Sequence, residues 1–322
     1  MAGDTKRFIT ALEYIRNIDF KDELKETALH KAAGGGHMNI AQLLLHKGAS
    51  TEATNNDNNT PLHLAARDGH TSTVELLLQK GASTGARNND NITPLHFASA
   101  SGYTSMVELL LQNGAPTEAS NRSESTPLHL AAASGHTSAV ALLLQKSAST
   151  KARNNENNTA LHLAAGSGHT SIVELLLQNG APKEARNNLD STPLHLATEN
   201  GHTRMVELLL EKGASMEARS LFEKTLLHLA AENGRTSMVE LLIQKGAPTQ
   251  ARKSGDNTPL HYAAWRGHTD TVKLLLEKGA SIDAKNWHGH TPLYYAEEKG
   301  HTDTAILLKT EAAKLAAHTK LG

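Results

Sequence analysis

The chain of 322 residues contains no cysteine, few aromatic residues and no excess of charge of either sign. The lack of cysteine excludes disulfides and thiolate metal ligands, and it is compatible with a reducing compartment. The formal net charge of −1 differs from the basic excess that is typical of nucleic-acid-binding proteins. Because aromatic residues make up only 3%, we expect a core built mainly from leucine, alanine and valine.

Long hydrophobic runs are also missing from the sequence. The run AVALLL at 139–144 is among the longest, and it is far shorter than the ~18 residues that a membrane-spanning helix needs. The first residues, MAGDTKRFITALEYIRNIDF, carry charges within their apolar part, unlike a secretory signal peptide. We therefore expect a soluble, intracellular protein located in the cytoplasm, with no membrane insertion.

A repeat of 33 residues runs through most of the sequence. Nine tetrapeptides related to TPLH follow one another without an insertion or deletion, and they begin at Thr27, Thr60, Thr93, Thr126, Thr159, Thr192, Thr225, Thr258 and Thr291. Periodicity of this length predicts small units that cannot fold alone and that bury their apolar faces by stacking on their neighbours.

Each repeat is predicted to form two short helices followed by a polar turn. In NTPLHLAARDGHTSTVELLLQKGAS, Thr60 suits a helix N-cap and Pro61 suits the first helical position. Gly69 can adopt the left-handed conformation that ends the first helix. A second helix is expected to start near Thr71, with STVE as a capping box. Ser147 replaces the glycine that closes this helix in other repeats, at a cost of about 1 kcal/mol.

The period and the motifs TPLHLAA and GH...VELLLQKGA resemble those of the ankyrin repeat family, from about residue 26 to residue 308. The resemblance implies an all-α fold with β-hairpin loops, an α-solenoid that forms a single elongated, curved domain. It also implies a concave face made of the hairpins and the first helices. We expect residues 1–26 to form an N-terminal capping helix and lead-in, 27–308 the nine ankyrin repeats, and 309–322 the end of a C-terminal capping helix.

The 19 histidines raise the question of metal binding or acid–base catalysis. Eight follow the leucine of TPLH and seven follow the glycine that ends the first helix. Within a repeat and between repeats the two kinds lie ~10 Å apart, whereas zinc ligands lie ~2 Å from one ion. We interpret them as structural groups that bond turn atoms and the threonine hydroxyl. The pair His288 and His290, with the spacing H-x-H, allows an adventitious metal site, although surface polarity in a turn is the favoured interpretation.

Catalytic motifs of the G-x-G-x-x-G, P-loop and G-x-S-x-G types do not occur in the sequence. The acidic pairs are scattered over solvated helix faces, so they nominate no glycosidase-like site. The sequence therefore predicts a protein that is not an enzyme and that has no cofactor and no metal site.

In ankyrin proteins the binding residues vary at the hairpin tip and just before the glycine that ends the first helix. At these positions repeats two to five are nearly uniform, whereas the later repeats vary and contain both tryptophans, a residue type enriched at binding hot spots. The resemblance thus predicts partner-binding residues Leu189, Glu199, Asn200, Leu221, Phe222, Glu232, Asn233, Trp265, Arg266, Trp287, His288, Glu298 and Lys299. Alternatively, Trp265 packs on Tyr262 or the adjacent unit, and Trp287 covers the last hairpin.

A row of basic residues, one at the start of most hairpins, allows two interpretations. It comprises Arg87, Arg153, Arg186, Arg219, Arg252 and Lys285. The row could receive an acidic, extended partner, or each residue could pair with the glutamate two positions earlier. We favour local pairing, for example between Glu184 and Arg186.

We expect a non-enzymatic protein-interaction module or scaffold that binds a protein partner on the concave face, most strongly in repeats six to nine. It is expected to be a monomer that does not bind nucleic acid. One alternative is a host-directed effector of an intracellular microbe, delivered into the host cell and using the same surface. The other is an inert architectural solenoid with no specific ligand.

Overall fold

The structure, a computed structural model, describes residues 17–253 and 255–319, with the side chains of Phe222, His318 and Thr319 left out. The N-terminal helix expected within residues 1–26 falls largely outside the described residues. The chain divides into two compact units, one running to Asn155 and including Gln178–Gly180, the other comprising Glu156–Leu177 and continuing from Ala181. Each unit is built from helix pairs of the same kind.

The described residues contain eighteen α-helices and no β-strand. They are α1 (Ala28–Gly34), α2 (Met38–His46), α3 (Pro61–Arg67), α4 (Thr71–Gln79), α5 (Pro94–Ser101), α6 (Thr104–Gln112), α7 (Pro127–Ser134), α8 (Thr137–Gln145), α9 (Ala160–Gly166), α10 (Thr170–Gln178), α11 (Pro193–Asn200), α12 (Thr203–Glu211), α13 (Leu226–Glu232), α14 (Thr236–Gln244), α15 (Pro259–Arg266), α16 (Thr269–Glu277), α17 (Pro292–Glu298) and α18 (Thr302–Thr319). A single 3-10 turn, Leu221–Glu223, lies between α12 and α13. In the part of the chain that the structure covers, none of these helices is long and apolar enough to cross a membrane.

Threonine caps the first helix of each repeat, as the sequence predicts. Thr60 Oγ1 lies 2.9 Å from Nδ1 of His63, and the Thr60 amide donates to the same nitrogen over 3.1 Å. The imidazole thereby takes the part that glutamate plays in the usual capping box. The capping box predicted for the second helix is wrong, because α4 already begins at Thr71 and Ser72 lies inside it.

The core consists of small and branched apolar side chains. In the second repeat, Leu62, Ala65, Ala66, Val74 and Leu77 are all 0% exposed. Fully burying a leucine or valine contributes about 1.5–3 kcal/mol, and the alanines allow close packing between neighbouring first helices such as α3 and α5. The buried face of one repeat is therefore also its interface with the next.

The segments between repeats form closed turns rather than paired strands. The Asn55 amide donates to the Asn59 carbonyl over 3.1 Å, and Asn55 Oδ1 accepts from the amides of Asp57 and Asn59. Asn58 adopts a left-handed φ of 61°. Because one backbone bond and one side-chain amide close the turn, there is no ladder of paired residues that would make it a strand. The Asn89 amide then bonds the Asp57 carbonyl over 2.9 Å, which joins one turn to the next.

The last helix is twice as long as the other second helices. α18 runs from Thr302 to Thr319, where α16 has nine residues. Leu308 is fully buried, whereas Lys309 is exposed and forms an ion pair with Glu297 over 2.7 Å. The apolar contacts thus give way to charge at the point where the predicted C-terminal capping segment begins.

Candidate interaction surface

Six histidines of the first row each join their repeat to the one that follows. Nε2 of His63, a residue with 0% exposure, lies 3.0 Å from the carbonyl of Ile92, 29 residues ahead. Burial lowers the pKa of His96 and His228 to about 4, so these rings are neutral near pH 7. Both ring nitrogens are used by the fold, which agrees with the structural interpretation. The equivalent pairs are His30 with Asn59, His96 with Ser125, His162 with Ser191, His228 with Asn257, and His261 with His290.

Five histidines of the second row each join their repeat to the preceding one. Nε2 of His70 lies 2.9 Å from the carbonyl of Gly34, 36 residues back. A Cβ atom on Gly36, whose φ is +67°, would lie 2.5 Å from Nδ1 of His70, so this close approach requires glycine. The equivalent pairs are His136 with Ala100, His202 with Gly166, His268 with Glu232, and His301 with Trp265.

His195 departs from the first row. Its Nδ1 lies 2.8 Å from Thr192 Oγ1, but its buried Nε2 has no hydrogen-bond partner among the described atoms. The carbonyl that is 29 residues ahead belongs to Lys224, which follows the 3-10 turn Leu221–Glu223. The altered turn therefore coincides with the loss of one buried hydrogen bond between repeats six and seven.

The predicted H-x-H pair shows ring contacts. The centroids of His288 and His290 lie 5.8 Å apart, and His290 stacks on Tyr294 at 3.7 Å. Within 17–253 and 255–319, no group of three or more histidine, aspartate or glutamate side chains could hold a metal ion. The structure accordingly assigns no metal ligands in this region.

Four residues of the basic row, Arg87, Arg186, Arg219 and Arg252, bond to the backbone of the next repeat. Arg87 Nη1 donates to the Ser120 carbonyl over 3.0 Å, and Arg252 Nη1 donates to that of Lys285 over 3.2 Å. Arg186 Nη1 donates to the Arg219 carbonyl over 2.7 Å, while Glu184 Oε1 accepts from the Ser215 amide over 2.9 Å. Both members of the favoured local pair thus have partners in the following repeat, and these contacts hold successive turns together.

Three of the predicted binding residues are large apolar side chains on the turns. Trp287 is 73% exposed, Leu189 is 58% exposed and Leu221 is 39% exposed. The Leu221 amide donates to the Leu189 carbonyl over 2.9 Å, so these two turns are neighbours. The exposure of Trp287 disagrees with the alternative that it covers the last turn. The side chain of Phe222 lies outside the described residues.

Most polar residues predicted for the site are exposed, whereas Glu232 is half-buried, and several have local partners. Asn200 Nδ2 donates to the Gly166 carbonyl and Asn233 Nδ2 to the Leu229 carbonyl, each over 2.9 Å. These bonds fix the orientation of the two side-chain amides. The exposed members of the set are Glu199, Asn200, Asn233, Arg266, His288, Glu298 and Lys299, of which Lys299 and Glu298 form an ion pair over 3.2 Å.

Trp265 is half-buried against Tyr262. The two rings are edge-on, with centroids 6.4 Å apart and an interplanar angle of 84°. The alternative that Trp265 packs on Tyr262 therefore agrees with the structure, although part of the indole stays exposed. Arg266 lies over the indole, with Cζ 4.3 Å from its centroid, and pairs with Glu232 over 3.5 Å.

An open pocket of about 290 Å³ lies beside this pair and is lined by Asn257, His261, Tyr262, Trp265 and Tyr295. We call it the aromatic pocket. The Tyr295 hydroxyl accepts from Asn286 Nδ2 over 2.8 Å, and its ring meets His261 edge-on at 6.1 Å. These contacts hold the walls in place without a ligand, which lowers the entropic cost of binding.

Sequence reasoning missed several residues of this site. Tyr262 and Tyr295 occupy the position directly after the four-residue TPLH-type motif. Most other repeats have leucine at this position. A comparison of that position across the repeats would have found them. Lys224 and Lys253, whose Nζ atoms lie 5.3 and 5.0 Å from the Tyr262 centroid, carry no such signal, because they belong to different turns.

Comparison with known proteins agrees with this architecture. The family model for ankyrin repeats in three copies matches residues 3–88, 81–154, 148–220 and 227–318. A solved structure, the crystal structure of the human ASB11 ankyrin repeat domain, is similar with a TM-score of 0.62 and 28% sequence identity, over 67% of this chain and 97% of that chain. No curated protein matches the sequence.

Proposed function

Because the chain belongs to the ankyrin repeat family, whose repeats are protein-interaction modules, we propose that it is a non-enzymatic scaffold that binds a protein partner through repeats six to nine. The single observation that carries this proposal is the exposed Trp287 in the same repeats as the aromatic pocket beside Trp265. Tryptophan in or beside a preformed pocket is typical of binding hot spots. Exposed apolar patches on a protein surface are typical of interaction sites.

The earlier repeats lack this combination. Asn89 and Asn155 occupy the turn position of Trp287, and Ala133 and Gly166 occupy the helix position of Trp265. Small and amide side chains at these places maintain the turns and helix packing but offer no apolar anchor. The difference between repeats therefore favours a localised binding surface over an inert solenoid.

Capture of a partner by the immobilised full chain tests the proposal. A lysate of the cells in which the protein is native would be passed over wild type, over a variant with Trp265→Ala and Trp287→Ala, and over a control with Arg67→Ala and Asn89→Ala at the same two offsets. We expect the tryptophan variant to lose at least about tenfold of a specific partner, the loss that ~1.4 kcal/mol produces, and the control to retain it.

Folding of each variant is checked by its thermal unfolding curve. Trp287→Ala alone gives a further check of partner capture. Because truncation of an exposed side chain leaves the core intact, a loss of capture in this variant would not come from unfolding. Equal capture by wild type and the folded tryptophan variant would refute this site. A cytoplasmic location and a monomeric state are part of the proposal, and cell fractionation and light scattering test them.

A further inference from the structure

Cationic groups lie over two of the aromatic rings that line the aromatic pocket. Lys224 and Lys253 both lie over the ring of Tyr262, and Arg266 lies over the ring of Trp265. Glu232 is the carboxylate that pairs with Lys224 and with Arg266. These three cations and one carboxylate leave a positive excess beside an apolar pocket, within a chain whose formal net charge is −1.

The pocket itself suits one side chain. Its volume of about 290 Å³ is at the lower end of the ~300–1,000 Å³ range for small-molecule sites. The lining residues include the aromatic side chains of Tyr262, Trp265 and Tyr295. An aromatic or large aliphatic side chain would therefore replace water against the rings of Trp265 and Tyr295, and this burial supplies the hydrophobic part of the binding energy.

The charges select what accompanies that side chain. Aromatic faces attract cations, but Lys224, Lys253 and Arg266 already lie over the faces of Tyr262 and Trp265. A further cation would be repelled by three like charges, whereas a carboxylate would be attracted. Burial, followed by the nearby charge of Lys224, lowers the pKa of Lys253, which agrees with crowding of positive charge at this edge.

We infer that the aromatic pocket binds an aromatic or aliphatic side chain from an acidic segment of a protein partner, with a neighbouring carboxylate of that segment against Lys224 and Lys253. This inference rests on the proposed function, because it specifies the partner chemistry of the same surface. It assigns Tyr262, Tyr295, Lys224 and Lys253 to recognition, in addition to the residues that sequence reasoning nominated.

Three small probes of equal shape and different charge test the inference: 3-phenylpropanoate, 3-phenylpropanamide and 3-phenylpropylammonium. The chain has two tryptophans, so 5-fluorotryptophan labelling gives two 19F signals, and Trp287→Phe identifies the signal of Trp265. We expect a saturable shift of the Trp265 signal, with the anion about tenfold tighter than the amide and no saturation by the cation. Higher ionic strength should reduce the preference for the anion.

Lys253→Gln should remove most of the preference for the anion over the amide, measured as the ratio of the two dissociation constants of the same variant. Lys245→Gln, at an exposed position after α14, is the matched control and should keep the preference. Equal binding of the three probes, preference for the cation, or a shift confined to Trp287 would overturn the inference. If partner capture depends on the two tryptophans but the probes show no preference for the carboxylate, the inference alone is refuted. If the probes show that preference but capture does not depend on the tryptophans, the proposed function alone is refuted.

Discussion

Histidine in this chain acts as a joint between repeats rather than as a reactive group. His63 caps its own helix through Nδ1 and reaches the next repeat through Nε2. Burial favours the neutral form of the ring and lowers the pKa of His63, although its hydrogen bond to the Ile92 carbonyl acts in the opposite direction. The spacing of the histidines already indicated this from the sequence, although it could not show which carbonyl each ring reaches.

Stability is predicted to fall as the pH drops from about 6.5 toward 4. Burial lowers the pKa of His96, His195 and His228 to about 4, whereas histidine in the unfolded chain has a pKa of about 6.5. Between these pKa values the unfolded chain binds more protons than the folded chain, so acidification favours unfolding. The stability that these neutral rings contribute is lost by about pH 4. Urea unfolding at a series of pH values measures this.

A matched pair of variants isolates the buried rings from other titrating groups. His228→Gln should flatten the dependence of the free energy of unfolding on pH between 6.5 and 5, at the cost of lower stability at pH 7. His288→Asn, at an exposed position, should leave the slope as in wild type. An unchanged slope in His228→Gln would show that this ring does not titrate as its burial requires.

Ser147 is predicted to be a strained position that glycine would relieve. Its φ is +62°, where the equivalent Gly114 and Gly180 have +77° and +76°. A left-handed conformation costs a side-chain-bearing residue about 1–2 kcal/mol. Glycine removes this cost but also makes the unfolded chain more flexible, which offsets part of the gain. Ser147→Gly should therefore raise the free energy of unfolding, measured with urea, by about 1 kcal/mol.

Ser134→Gly serves as its control, because Ser134 is exposed at the end of a right-handed helix. Glycine there should destabilise by about 0.5 kcal/mol. Equal effects of the two substitutions would contradict a conformational origin.

At the scale of elements, the turns between repeats set the strength of each junction. Asparagine closes most turns, and the equivalent turn before α13 contains the 3-10 segment Leu221–Glu223 instead. There the Nε2 of His195 has no partner, while His162 bonds Ser191 over 3.1 Å. The sequence SLFEK at 220–224 differs from the other turns in composition. The missing hydrogen bond of His195 Nε2, however, depends on backbone geometry that the sequence pattern does not contain.

His195→Leu should therefore cost less stability than His162→Leu. Both variants lose the bond to the capping threonine, but only His162→Leu also removes a bond to the following repeat, where the Ser191 carbonyl keeps its bond from the Asn187 amide. The expected difference is about 1 kcal/mol, measured by urea unfolding under identical conditions. A larger loss in His195→Leu would mean that its Nε2 has a partner of comparable strength.

At the scale of the whole molecule, a uniform scaffold carries a localised set of departures. The period of 33 residues predicted the helix pairs, the threonine caps of the first helices and the buried stripes, because each is repeated along the chain. The variable positions predicted Trp265 and Trp287 by the same comparison. The aromatic pocket was not predictable, since it needs Asn257 and Tyr295 from different repeats to meet Tyr262, and no single-repeat pattern contains that.

The central claim is that partner recognition belongs to the late repeats, and hydrogen–deuterium exchange of the full chain with and without its captured partner tests this claim most directly. We predict that binding slows amide exchange in peptides covering 219–225, 253–266 and 285–299, with little change in the corresponding peptides at 54–67 and 87–100. Protection confined to the early repeats would contradict the claim.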